Sequence, residues 1–160
     1  MKNTKSMIST IYQTLHAADS QELEGIYKKW ASDYDHDVLE LAGYVGHLIT
    51  SSLLLSTIKN KKAKILDAGC GTGLVGEILS EKNYKNLEGV DFSQEMLDVA
   101  IQKQVYQSLR LVDLTKNLDY EDNLFDAIVC AGTFTCGHVG PEALLEMVRI
   151  TKKGGYICFT

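Results

Sequence analysis

Between Met7 and Ile58 the apolar residues return at helical intervals. Met7, Ile8, Ile11, Tyr12 and Leu15 fall on one face of a first helix, and Leu23, Ile26, Tyr27 and Trp30 on one face of a second. Asp19, with Glu22 three residues on, has the form of a capping box opening that second helix. A third helix is predicted to carry Val38, Leu41, Ala42, Val45, Leu48 and Ile49, set off from the second by the polar stretch ASDYDHD. After Lys61 the pattern changes to short apolar runs alternating with helical ones. KILDA, NLEGVDF, LRLVDL, FDAIVCAGTF and YICFT read as strands. Helices are predicted through Leu74 to Leu79, through SQEMLDVAIQKQVYQ with Ser93 as N-cap, and after Pro141 through LLEMVRI, ending on the basic and glycine residues KKGG.

Strands alternating with helices imply βαβ units. The expected fold is therefore α/β: one domain, with a helical N-terminal cap over residues 1–60 and a doubly wound, mostly parallel sheet over residues 61–160. The length of 160 residues suits one such domain. A net charge of −5 argues against a nucleic-acid surface. The cluster KNKKAK, Lys59 to Lys64, reads as a solvated turn before a strand. The four cysteines form no C-x-x-C pair and sit at no metal spacing with histidine, so no metal is expected. No apolar run is long enough to span a bilayer, and the first residues lack the apolar core of a signal peptide, which predicts a cytoplasmic protein with no membrane partner.

The chemistry centres on KILDAGCGTGLVGEIL. It holds G-x-G-x-G at Gly69, Gly71 and Gly73, and overlapping it G-x-G-x-x-G at Gly71, Gly73 and Gly76. The second spacing is that of dinucleotide loops. A pyrophosphate there would face Asp67 at the strand end, and like unit charges ~4 Å apart cost about 4 kcal/mol at an effective dielectric near 20. With Gly69 as the first glycine, Asp67 faces the mouth of the site and suits a ligand carrying positive charge. The next strand ends at Asp91, and 91 − 71 = 20, the spacing at which a carboxylate reaches ribose hydroxyls. Asp91 points to adenosine in either case; Asp67 points to a cation.

At these residues the sequence resembles class I S-adenosylmethionine-dependent methyltransferases. The resemblance rests on ILDAGCGTG, GVDFSQEMLDVA, LVDL, NLFDAIVCAGTF and KKGGYICFT, in that order. YKKWASDYDHDV and GTFTCGHV further resemble the methyltransferase-like group named after the Williams–Beuren syndrome chromosomal region. The resemblance implies S-adenosylmethionine as cofactor and S-adenosylhomocysteine as product. It implies that Asp67, Gly69 and Gly71 surround the methionine end, with Cys70 and Met96 counted in the same cofactor-binding set. Asp91 would hold the ribose, Phe92 would lie against adenine, and Asp113 would receive its amino group beside the Leu114 amide. Ala131, Gly132 and Thr133 would line the floor beneath the methyl, while Tyr34, with Trp30, would close over the cofactor. The family's sheet has the order 3-2-1-4-5-7-6, and the expected one here is 3-2-1-4-5, the last two strands being absent. YICFT would then be an open edge able to pair with a second copy or a partner chain.

Plainer readings stand beside these. Asp67 and Asp91 are also placed to satisfy backbone amides, Asp113 to form a strand-end turn, and Phe92 to pack on Leu97. Trp30 shares a face with core positions. His138 is a candidate general base, and also a loop histidine near a helix start. The expected function is methyl transfer to a small-molecule acceptor. The alternatives are a cofactor-binding module without turnover that acts through a partner, and a nicotinamide-dependent oxidoreductase.

Overall fold

The computed structural model of the chain describes residues 4–135 and 139–160. Four helical stretches come first: α1 (Thr4–Leu15), α2 (Ser20–Trp30), the short α3 (Tyr34–His36), which continues as a π-helical turn over Asp37–Leu41, and α4 (Gly46–Thr57). The rest alternates: β1 (Ile65–Ala68), α5 (Leu74–Glu81), β2 (Leu87–Asp91), α6 (Gln94–Gln102), β3 (Ser108–Leu111), β4 (Phe125–Cys130), α7 (Ala143–Ile150) and β5 (Thr151–Phe159). The strands form one parallel sheet in the order β3-β2-β1-β4-β5, which is the predicted order.

Side-chain alternation along the strands builds two cores. Ile65, Leu87, Ala127 and Val129 pack with Leu54 of α4, with Ile58 just past its end, and with Val75 and Leu79 of α5. Leu66, Ala68, Val90 and Ile128 point to the opposite face and meet Met147 and Ile150 of α7 together with Leu114 and Leu118. β1 is buried along its whole length, as expected of a central parallel strand covered on both faces.

The capping box is present: Asp19 accepts from the Glu22 amide at 2.8 Å, and the Glu22 carboxylate reaches back to the Ala18 amide at 2.8 Å. Ser93 caps α6 as predicted. Three other expectations are corrected. The single third helix is broken, because Gly43 adopts φ +64° and the stretches Tyr34–Leu41 and Gly46–Thr57 meet at 88°. Val45, Leu48 and Ile49 consequently lie exposed. In α1, Met7 and Thr14 are buried, while Ile8, Tyr12 and Leu15 face solvent.

The third correction concerns KKGG, which does not end α7. The helix stops at Ile150, where the Thr151 hydroxyl donates to the Met147 carbonyl at 2.6 Å and the backbone turns extended. The register then jumps from Phe125↔Thr151 to Ala127↔Tyr156, so 5 − 2 = 3 extra residues bulge from β5. Gly154 at φ +78° makes the bulge, and the Lys152 ammonium pins it to Asp126 at 2.8 Å. No single described helix is long and apolar enough to cross a membrane.

Candidate functional site

A cavity of about 380 Å³ opens where β1, β2 and β4 end, the place at which parallel α/β sheets receive ligands. One wall comes from the sheet: Gly69, Gly71, Asp91, Phe92 and the segment Ala131–Thr133. The other comes from the cap, with Leu23, Glu24 and Tyr27 of α2 and Tyr34 of α3. Gly69 has φ +73°, and a Cβ there would lie 2.2 Å from the Thr133 hydroxyl. Gly71 has φ +52° and open space where a Cβ would stand, so its requirement is the left-handed backbone alone.

Asp91 fills the plainer of the roles its position suggested, satisfying backbone amides, and it does so at the wall of the cavity. One carboxylate oxygen accepts from the Gly71 amide at 2.8 Å and the other from the Ser93 amide at 3.0 Å. The side chain is 6% exposed and lines the cavity. Burial raises its pKa, against the pull of those amides. Phe92 lines the cavity beside it, edge-on to Tyr27 with centroids 5.7 Å apart.

Asp67 requires a correction. It does not face the mouth. Its parity along β1 is that of Ile65, so it points toward α5 and is buried beneath the glycine loop. There it accepts from the Tyr106 hydroxyl at 2.6 Å. Burial pushes its pKa up to about 7; the Tyr106 hydrogen bond pulls it down and the Asp91 charge pushes it up. Tyr106 also explains the second glycine pattern. A Cβ on Gly76 would lie 2.3 Å from the phenol, and one on Gly73 or Gly89 3.2 Å from the ring. Those glycines make room for an aromatic ring, not for a pyrophosphate.

The start of α5, where a pyrophosphate would sit, is already ringed by acid. The Thr72 hydroxyl donates to Asp35 of the cap, and Lys103 bridges Asp35 at 2.8 Å and Glu77 at 2.6 Å. That arrangement opposes the nicotinamide reading.

The remaining candidates divide. Met96, Asp113, Leu114, Ala131 and Gly132 line the cavity. Asp113 also forms its predicted turn, accepting from the Thr115 amide at 2.8 Å and hydroxyl at 2.6 Å. Cys70 does not line the cavity; its sulfur turns toward Gly89 and the Gly71 carbonyl. Trp30 is a core residue. Its indole donates to the buried Asp37 at 2.8 Å and its ring packs edge-on against Tyr34 at 4.8 Å. His138 lies outside the described residues. Sequence reasoning missed Leu23 and Tyr27, which sat on an apolar helical face and so read as core. Burial raises the pKa of both Tyr27 and Tyr34, with the Asp91 charge adding to it, so both phenols stay protonated and able to donate.

Residues 66–159 match a family described as "Methyltransferase domain". The chain is 36% identical over 137 residues to methyltransferase-like protein 27 of Homo sapiens, covering 84% of this chain and 55% of that protein. It is 31% identical over 149 residues to the ubiquinone/menaquinone biosynthesis C-methyltransferase of Bdellovibrio bacteriovorus, covering 89% of this chain and 62% of the relative. The chain thus spans little more than half the length of these curated relatives. Among solved structures it resembles a TehB-like S-adenosylmethionine-dependent methyltransferase from Corynebacterium glutamicum, at 27% identity and a TM-score of 0.61, covering 79% of this chain and 71% of that one. With the sheet order, the glycine loop and Asp91 in place, the chain belongs to the class I S-adenosylmethionine-dependent methyltransferases.

Proposed function

We propose that this cavity binds S-adenosylmethionine and that the protein transfers its methyl group to a small-molecule acceptor. One observation carries the reading. Asp67 and Asp91 flank the glycine loop, both buried, and neither has an ion-pair partner among the described residues. A site with the Asp91 carboxylate in its wall and Asp67 buried beneath its loop favours a ligand that brings positive charge, and disfavours one that brings phosphate.

When bound, the cofactor supplies an electrophilic methyl group on a sulfonium. The protein's part is to bind, orient and exclude water. Gly69 and Gly71 would let the ligand approach the backbone. Asp91, already fixed by two amides, would accept from ribose hydroxyls without further ordering. Phe92, Met96 and Leu114 would enclose the adenine, with Asp113 beside it. Ala131, Gly132 and Thr133 border the part of the cavity nearest β4, where the acceptor would meet the methyl. The protonated Tyr27 and Tyr34 would close the cap side as hydrogen-bond donors rather than as bases. The acidic overall charge and the α2 wall over the cavity support a small acceptor rather than a polynucleotide. Cys70, Cys130 and Cys158 are free and buried, which fits the reducing cytoplasm.

Titration calorimetry with S-adenosylmethionine tests the cofactor, and incubation with methyl-labelled cofactor and a metabolite extract tests the transfer. Binding is expected with S-adenosylmethionine and S-adenosylhomocysteine and not with NAD. Binding without label transfer would favour a non-catalytic module; NAD binding alone would overturn the assignment of the cavity.

A further inference from the structure

The sequence places Tyr106 in the helix SQEMLDVAIQKQVYQ, but α6 stops at Gln102 and leaves it beyond the helix end, where three glycines make room for it. Positions 73, 76 and 89 come from the loop, from α5 and from β2, and a Cβ at any of them would press on its ring. Among the described residues its hydroxyl donates to Asp67, at 2.6 Å. Asp67 has no ion-pair partner among the described residues, and the Gly76 backbone amide is a further donor to it. The titratable groups that face it are Asp91 at the end of β2, Cys70 in the loop, Cys130 at the end of β4, Tyr44 from the cap and Tyr106 itself. Among these, the Tyr106 hydroxyl is the one held in hydrogen-bond contact with the carboxylate by a fitted slot.

We propose that Tyr106 is a positioning residue for the cationic methionine end of the cofactor: its hydroxyl favours the charged form of the Asp67 carboxylate and fixes it beneath the glycine loop that borders the cavity. This rests on the cofactor reading above. The physical basis is selective hydrogen bonding. A phenol donates to a carboxylate far better than to a carboxylic acid, so it favours the charged form in a place where burial disfavours it. The titration midpoint of Asp67, about 7, shows how closely the two effects balance. Losing the donor would leave the carboxyl neutral near neutral pH, and a neutral Asp67 does not attract an ammonium group.

The test is Tyr106→Phe, which keeps the ring in its slot and removes only the hydroxyl. Carbon-13 NMR of the Asp67 carboxyl in the ligand-free protein should show the midpoint moving upward by about one pH unit, since one hydrogen bond to a charged group corresponds to roughly that shift. Calorimetry with S-adenosylhomocysteine should then show affinity about five- to tenfold weaker at pH 6.5 and about twofold weaker at pH 8, because one unit is a tenfold change in the ionised fraction only well below the midpoint. Affinity for 5′-methylthioadenosine, which lacks the amino-acid end, should be unchanged at both pH values. An unshifted Asp67 midpoint, or an equal loss for both ligands at both pH values, would overturn the proposal while leaving the cofactor reading intact. Failure of S-adenosylhomocysteine to bind the unsubstituted protein would overturn that reading, and the proposal with it.

Discussion

The two walls of the cavity are made of different material. The sheet wall is largely backbone: Gly69 and Gly71 with left-handed dihedrals, amides turned onto Asp91, and small residues at 131–133. The cap wall is largely side chain, with Leu23, Tyr27 and Tyr34 presenting apolar and aromatic area. A backbone wall is exact in shape and intolerant of an added atom, whereas a side-chain wall spreads its contribution over several residues. Substitutions on the two sides are therefore expected to differ in size.

Asp91→Ala should have the largest effect. It removes the proposed ribose acceptor and strands the Gly71 and Ser93 amides, at about 1–3 kcal/mol for each unpaired group. Calorimetry should show affinity for S-adenosylhomocysteine falling by roughly two to three orders of magnitude. A loss below tenfold would remove the distinction between the walls.

The next effect needs no mutation. Folded Asp67 keeps its proton up to about pH 7, while in the unfolded chain an aspartate releases it near 3.9. The folded state thus binds more protons between those values, and the stability this contributes is lost as pH rises through the window. Ligand-free stability should drop by about 2 kcal/mol between pH 5 and 7, read from denaturant midpoints. A cationic ligand reverses the sign for binding, so thermal stabilisation by S-adenosylhomocysteine should grow from pH 6 to 8. A flat profile for both would show that Asp67 is not the group described.

Gly69→Ala is expected to cost about 1–2 kcal/mol through its left-handed backbone and its collision with Thr133, measured by thermal unfolding. Gly71→Ala, with open space at the same point, should cost less in stability. On the cap wall, Tyr27→Ala should weaken cofactor binding by about tenfold, in line with the loss of one edge-to-face partner and its buried area. Smallest of all, Lys28→Ala breaks an exposed ion pair with Glu95 and should leave the thermal unfolding midpoint essentially unchanged.

The contrast between the walls also explains what the sequence disclosed. Strand order, the glycine loop, Asp91 and the Ser93 cap were legible because each follows from a short-range rule: period-two burial, a left-handed turn, a strand-end carboxylate, an N-cap. The direction of Asp67 was equally available, since it shares the parity of Ile65, but the motif drew attention away from the parity. The cap was less legible. An apolar helical face looks the same whether it meets a protein core or a ligand cavity, so Tyr27 and Trp30 could not be sorted by spacing. Tyr106 left no local signal; only the three-dimensional meeting of Gly73, Gly76 and Gly89 reveals it.

The bulge in β5 sets how much of that strand is straight enough to be paired. Because Lys152–Gly155 swing out of the ladder, only Tyr156–Phe159 run in straight register along β4. Any strand that adds alongside β5 therefore has a straight ladder of four residues to pair with before the backbone kinks away.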